Sequence, residues 1–368
     1  MPRFGYGIIG CGWVASAHAW GVQSLVGEDV QLVAVTDAVR ARAEALAGKF
    51  DVVRIHDDYH DLLADDDISA VSICLPDHLH KDVAIAAAEA GKHVLCEKPL
   101  ALNVDQADEM LRASHRRGTA LGLIMNHRYA PDNIRVKRAI DAGALGRVLV
   151  GSVMHSSCLV GDPSGSSPWR GRRGLAAGGI LTTQAIHFLD LLLWFAGPVE
   201  AVKAWTARLA RPEQDYEDTA AIAMQMASGA LSTLITTNGA PIEDDFTGTR
   251  IEVQGTDGYI MLEGDVVRLC VTPAGSELPG LELPDPPRGS AEVVFGSGHI
   301  YEVMDFVRAV RHGHPPPIPG EDGRHLLAVL EAAYQSAEVV NQMSVREGPD
   351  AYSSKQAPTS LLSGLAGT

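Results

Sequence analysis

From position 4 to about 123 the chain alternates short apolar, β-branched runs with helix-length segments whose apolar positions recur every three or four residues. The runs 4–9, 31–36, 70–75, 93–96 and 120–125 read as strands, and 14–25, 40–50, 81–90 and 104–117 as the helices between them. Such alternation predicts βαβ units with right-handed crossovers. Those build a doubly wound parallel sheet, with a ligand crevice at the carboxyl ends of its strands.

Beyond Arg128 the texture changes. A helix is expected over 132–142, a strand near 148–154, then a loop rich in Gly, Ser and Arg and a helix across 183–194. Runs at 199–209, 219–226, 229–237, 249–254 and 258–262, separated by hairpin-like gaps, predict a largely antiparallel sheet. Late helices at 299–311 and 323–340 flank a proline-rich turn at 315–319. The expected organisation is therefore an α/β Rossmann domain over 1–125, an α+β domain over 126–346 for substrate binding and association, and a tail rich in Ser, Gly, Pro and Ala over 347–368. No internal repeat is visible.

Length and composition agree with two cores: 368 residues with 46% hydrophobic and 21% charged content. No stretch approaches the roughly 18 consecutive apolar residues of a membrane span, and the start lacks a basic leader, so a soluble cytoplasmic protein is expected. Cys11, Cys74, Cys96, Cys158 and Cys270 are scattered and odd in number, which fits small buried hydrophobes in a reducing compartment. No His/Glu cluster has ligand spacing, which disfavours a metalloenzyme. A net charge of −16 disfavours nucleic acid and anionic membrane as partners, since both require a basic surface.

The first strand runs into Gly10-Cys11-Gly12-Trp13-Val14-Ala15, a G-x-G-x-x-A turn opening a helix. Gly10 permits the turn, Gly12 lets the backbone approach a pyrophosphate, Ala15 keeps helix and strand close, and the N–H groups around Trp13 and Val14 face the phosphates. Asp37, 22 residues beyond Ala15, ends the second strand where a carboxylate meets ribose hydroxyls and repels a 2′-phosphate, favouring NAD over NADP. Arg40 nearby would soften that preference; the alternative reading of Asp37, an N-cap for the following helix, does not exclude the cofactor role.

Glu97-Lys98-Pro99 follows the strand 93–96, taken as the fourth of the parallel sheet. With Leu75-Pro76-Asp77-His78-Leu79-His80, Arg128-Tyr129-Ala130-Pro131, the segment 178–190 and the late helix around Glu331 to Ala337, this resembles the Gfo/Idh/MocA family of oxidoreductases over roughly residues 4 to 345. The resemblance implies a Rossmann domain followed by an open-faced, mostly antiparallel sheet whose outer face makes homodimer or homotetramer contacts. It implies catalytic roles for Lys98, which would hold the reacting oxygen and favour alkoxide character, and for His187, whose neutral imidazole would accept the hydroxyl proton. Many relatives carry Asp four residues before this histidine, where this chain has Thr183, so the base role has less electrostatic support.

Leu75, Pro76 and His80 resemble positions beneath the nicotinamide ribose, and Glu97 either touches cofactor or supports the Lys98 loop. Asn126, Arg128, His155, Trp169, Arg170 and Thr183 are candidate contacts to substrate hydroxyls, with salt bridges or loop caps as the alternative. The function implied is reversible, NAD-dependent oxidation of a secondary hydroxyl of a sugar, amino sugar or cyclitol. Two other readings are a glycosidase using NAD for transient oxidation and a dinucleotide-sensing regulator. Acidic groups at 243–245 and at Glu213, Asp215, Glu217 and Asp218, if placed on the pocket rim, would attract an amino sugar.

Overall fold

In the computed structural model, which describes residues 3–158, 169–241, 248–278, 280 and 296–339, the first alternation folds as a six-stranded sheet of order β3-β2-β1-β4-β5-β6. Its strands are β1 (Phe4–Ile9), β2 (Val30–Thr36), β3 (Arg54–His56), β4 (Ala70–Ile73), β5 (His93–Cys96) and β6 (Leu121–Leu123), all paired in parallel. Helices α1 (Ala15–Gln23), α2 (Arg40–Phe50), α3 (Tyr59–Leu63), α4 (His80–Glu89) and α5 (Val104–Arg117) make the crossovers. Burial on both faces explains the unbroken apolar runs of β1 and β4. Local chemistry sets the helix ends: the Asn103 side chain accepts from Gln106 N–H at the start of α5, and Gly118 turns left-handed at its end.

In the first half, two elements escaped the periodicity. Strand β3 is an edge strand of three residues with one apolar side chain, and α3 is a helix of five, both too short to repeat a pattern. The strand leading to Lys98 is consequently the fifth, not the fourth.

Helix α6 (Pro131–Asp141), with proline at its first position, carries the chain to the second sheet. That sheet holds β7 (Val148–Ser156), β8 (Val199–Ala207), β9 (Thr219–Met226), β10 (Leu231–Thr237), β11 (Thr249–Gly255), β12 (Tyr259–Glu263) and β13 (Val266–Val271) in the order β13-β12-β11-β7-β10-β9-β8. Its pairs are antiparallel except β7 with β10, so the expectation of an antiparallel sheet holds with one exception. The expected helix across 183–194 is two: α7 (Ile180–Thr183) and α8 (Ala185–Ala196), broken at Gln184, whose φ of −132° leaves the helical region. Strand alternation turns Val153, Leu234 and Ile251 into one core with Phe188, Leu189 and Leu192 of α8. It leaves Val150, Met154, Leu231 and Ile235 on the opposite, exposed face.

Residues from the first sheet (Ile73, Cys96, Leu123) and the second (Val153, Leu234) share a continuous apolar core, and Met1–Ala337 form one compact body. The chain then returns: α9 (Gly298–Arg311) buries Val303, Phe306 and Val307 against Tyr6, Val22 and Leu95 of the first half, and α10 (Gly320–Glu338) follows. No helix among the described residues is long and apolar enough to cross a membrane. The expected tail from 347 lies outside the described residues.

Candidate active site

Strand order reverses between β1 and β4, and a cavity of about 810 Å³ opens at their carboxyl ends. Gly10, Cys11, Gly12, Trp13 and Val14 form one wall, Asp37 a second, Leu75 and Pro76 a third. Gly10 has a φ of +92°, and a Cβ there would fall 2.3 Å from the Cys74 carbonyl oxygen, so no other residue fits. At Gly12 a Cβ would meet no protein atom within 4 Å and would project into open space. That is the cradle a pyrophosphate needs beside the first turn of α1, so the residues present fit a dinucleotide. Ala15 is fully buried behind the turn, where it keeps the helix close.

The Asp37 carboxylate accepts the Cys11 N–H at 2.7 Å and the Val39 N–H at 2.7 Å. It thus fixes the glycine turn and caps the backbone entering α2 while also lining the cavity. Arg40 is engaged by Glu44 and Asp57; the cations that line this end are Arg42 and Lys49.

At the other end β5 delivers Glu97 and Lys98, and the Lys98–Pro99 peptide is cis. The Lys98 Nζ donates to the Thr183 carbonyl oxygen at 2.5 Å. Burial pushes the Glu97 carboxyl up, but the hydrogen bond from His18 (3.0 Å) and the charges of His299, His18 and Lys98 outweigh it, giving about 2. Glu97 also accepts the Lys98 N–H, so it lines the cavity and braces the Lys98 loop.

His187, in the first turn of α8, lines the same cavity. Its Nδ1 is enclosed without a hydrogen-bond partner among the described residues. Burial holds the imidazole well below its ordinary value, and Lys98, His127, His299 and His155 push the same way. Thr183 sits on α7, not one turn down the helix of His187, and its hydroxyl donates to the Gly179 carbonyl. Asn126, Trp169 and Arg170 line the cavity as expected, Arg170 lying over the Trp169 ring, and Asn126 Oδ1 is buried without a partner.

Three expected contacts are corrected. His80 is fully buried beneath the cavity, its ring 2.8 Å from both the Leu75 and Pro99 carbonyl oxygens, because it opens α4 pointing into the protein. His155 is fully buried with Nδ1 on the Thr236 hydroxyl, since its strand parity faces α8. Arg128 is locked onto Asp190 (2.7 and 2.5 Å) and Asp322 (2.8 Å) and does not reach the cavity.

Two of the expected rim carboxylates, Glu217 and Asp218, are corrected too. Glu217 is buried, accepting the Leu181 N–H and the Tyr334 hydroxyl, and Asp218 accepts the N–H groups of Leu209, Ala210 and Arg211. Asp215 caps Arg173 N–H, and positions 243–245 lie outside the described residues.

Sequence reasoning missed His127, His299 and Gln184, which line the cavity. His127 follows Asn126 directly and was readable from that neighbour; His299, over a hundred residues away on α9, gave no local signal. Asp77 was noted only as part of the 75–80 motif. It accepts the Ala177 N–H at 3.1 Å and, with His78 on the Leu175 carbonyl, ties the segment before α7 to this wall.

With this geometry in hand, comparison with known proteins is specific. The sequence model for the oxidoreductase family with an NAD-binding Rossmann fold matches residues 4–125, and the corresponding C-terminal domain matches 134–261. Myo-inositol 2-dehydrogenase of Thermotoga maritima is 29% identical over 350 residues, covering 93% of this chain and 98% of the relative. Levoglucosan dehydrogenase in complex with NADH and levoglucosan superposes with a TM-score of 0.80 at 25% identity, covering 91% and 97% of the two chains. The WlbA dehydrogenase of Bordetella pertussis, in complex with NADH and UDP-GlcNAcA, gives 0.78 at 28% identity, covering 91% and 95%. The chain is an oxidoreductase and belongs to the Gfo/Idh/MocA family of NAD-binding enzymes.

Proposed function

We propose that this enzyme reversibly oxidises a secondary hydroxyl of a sugar or cyclitol ring with NAD as electron acceptor. The observation that carries the reading is the convergence of the Lys98 ammonium and the His187 imidazole on one cavity with the glycine turn. Gly10 to Val14 and Asp37 would hold the dinucleotide, and bound nicotinamide supplies the two-electron acceptor. Lys98, anchored through the Thr183 carbonyl, presents a cation to the reacting oxygen and stabilises alkoxide character as the C–H bond weakens. His187, kept neutral by burial, holds the hydroxyl in place, while Asn126, Trp169 and Arg170 face the rest of the ring. Relatives named as dehydrogenases of myo-inositol and of levoglucosan support this reading.

A neutral polyol is favoured over an amino sugar, because Glu217 and Asp218 spend their carboxylates on backbone N–H groups. The outer face of the second sheet, with Leu231 beside Val150 and Ile235 beside Met154, is where we place association into a homodimer or homotetramer. Five free cysteines, four of them buried, fit a cytoplasmic location.

A panel of cyclitols, sugars, anhydrosugars, amino sugars and nucleotide sugars, read by NADH absorbance, tests the activity. Net NADH from a ring alcohol is expected. Bond cleavage of a glycoside without net NADH would favour the glycosidase, and NADH binding with no turnover of any compound the regulator.

A further inference from the structure

His187 stands beside four groups that carry or take up positive charge: Lys98 after β5, His127 in the turn after β6, His299 on α9 and His155 on β7. Among the described residues no carboxylate is bonded to it, and Thr183, on the preceding helix α7, gives its hydroxyl proton to the Gly179 carbonyl. A proton arriving on that ring would meet no compensating charge. The ring packed against it is differently placed. His127 lines the same cavity, its centroid 4.9 Å from that of His187, and its Nδ1 lies 3.1 Å from Asp265 in the turn between β12 and β13.

This pairing is built rather than incidental. Asn133 of α6 donates from Nδ2 both to Asp265 Oδ1 at 2.7 Å and to the His127 carbonyl at 2.8 Å, fixing the acid and the base to one another. His127 is nine-tenths buried, and the Asp265 side chain stays 20% exposed. A carboxylate on Nδ1 places the ring proton there and makes Nε2 the nitrogen that accepts the next one. Asp190 of α8 also faces His127 but is committed to Arg128, and Arg128 in turn to Asp190 and Asp322.

Glu97, which lines the cavity, does not serve a cavity histidine in this way. Glu97 lies 3.6 Å from His299 but accepts first from His18 and from the Lys98 N–H, and burial leads the effects that hold His299 down to about 4.

We propose that His127, backed by Asp265, is the catalytic residue that takes the proton of the substrate hydroxyl, with His187 beside it orienting that hydroxyl. The proposal rests on the dehydrogenase reading above. As the electron pair of the carbinol C–H bond leaves for the nicotinamide, the O–H bond breaks and its electron pair forms the carbonyl. The proton passes to Nε2 of His127, and Asp265 balances the imidazolium. The exposed edge of Asp265 gives that proton a way to solvent.

Two measurements decide it. In the NAD-loaded full-length enzyme, ¹⁵N-labelled imidazoles are followed by NMR through the histidine titration range and assigned with His127→Gln and His187→Gln. The ¹⁵N shifts of the neutral rings are expected to place the His127 proton on Nδ1, facing Asp265, and Asp265→Asn to weaken that preference. In turnover, His127→Gln should lose about 10²-fold in kcat together with the acid limb of the kcat/KM profile. His187→Gln should lose rate but keep that limb, and Asp265→Asn should shift it to lower pH. NADH binding by fluorescence reports whether each variant is folded. A neutral His127 ring that carries its proton on Nε2, or an acid limb that survives His127→Gln and vanishes in His187→Gln, overturns the proposal. If no ring alcohol is oxidised by the wild type, the dehydrogenase reading fails, and the His127 tautomer still decides whether its Nε2 is the accepting nitrogen.

Discussion

His80 spans the carbonyl oxygens of Leu75 and Pro99, 2.8 Å from each, and so clasps the loop after β4 to the loop after β5 that carries Lys98. Carbonyl oxygens only accept, so both ring nitrogens must carry protons and the ring is an imidazolium. Burial works against that charge, but the Cys96 sulfur, the Asp77 carboxylate and the Leu75 carbonyl outweigh it and push the pKa up to about 10. A folded-state value above the ordinary one means stability that is fully present below about pH 6.5 and is lost as pH rises through about 10. The wild-type Tm should therefore fall across that window. His80→Gln should start lower and lack the alkaline slope, and a parallel slope in the variant would contradict the imidazolium.

Lys98→Met and His187→Ala should each lower kcat by about 10²-fold or more while leaving NAD affinity nearly unchanged, since both act on the transition state rather than on dinucleotide binding. Steady-state kinetics with a substrate from the panel, beside NADH fluorescence titration, separates the two effects. Near-normal turnover in either variant removes that residue from the mechanism.

Asp37→Ser should weaken NAD by about tenfold and narrow the gap to NADP, since a charged acceptor is worth about 1.5–3 kcal/mol and its loss also frees the glycine turn. Arg42 and Lys49, lining the same end, would then meet a 2′-phosphate. Kd values for both dinucleotides test this, and equal use of NADP by the wild type would rule out Asp37 as the discriminator.

Arg128→Met should lower stability by about 3–5 kcal/mol, because it leaves Asp190, 1% exposed, as a buried carboxylate without its cation. Thermal unfolding should shift by about 4–6 °C. The KM for substrate should change little if the enzyme is assayed well below that transition, whereas a large selective KM effect would return Arg128 to the cavity wall.

What the sequence made legible follows the range of each physical signal. The glycine turn, Asp37 and Glu97-Lys98-Pro99 are contiguous with the strands that aim them, so pattern and chemistry lie in one window. His155 and Arg128 were misplaced because side-chain direction depends on sheet parity and on a partner 62 residues away, Asp190. Helix α7 was run into α8 because Ile, Leu, Thr and Ala continue the apolar period through the break at Gln184. Asp265 became visible only when two distant turns met.

Helix α9 crosses back to the first sheet after the second is complete, and Val303, Phe306 and Val307 fill the space against Tyr6, Val22 and Leu95. The half that grips the dinucleotide is thus assembled from two separated stretches of gene. Recombination that exchanged residues 4–125 alone would transplant a sheet with an apolar trough on one flank and without His299. Any chimaera meant to trade cofactor preference between relatives has to carry the 298–311 segment along, so these two stretches are bound to be inherited together.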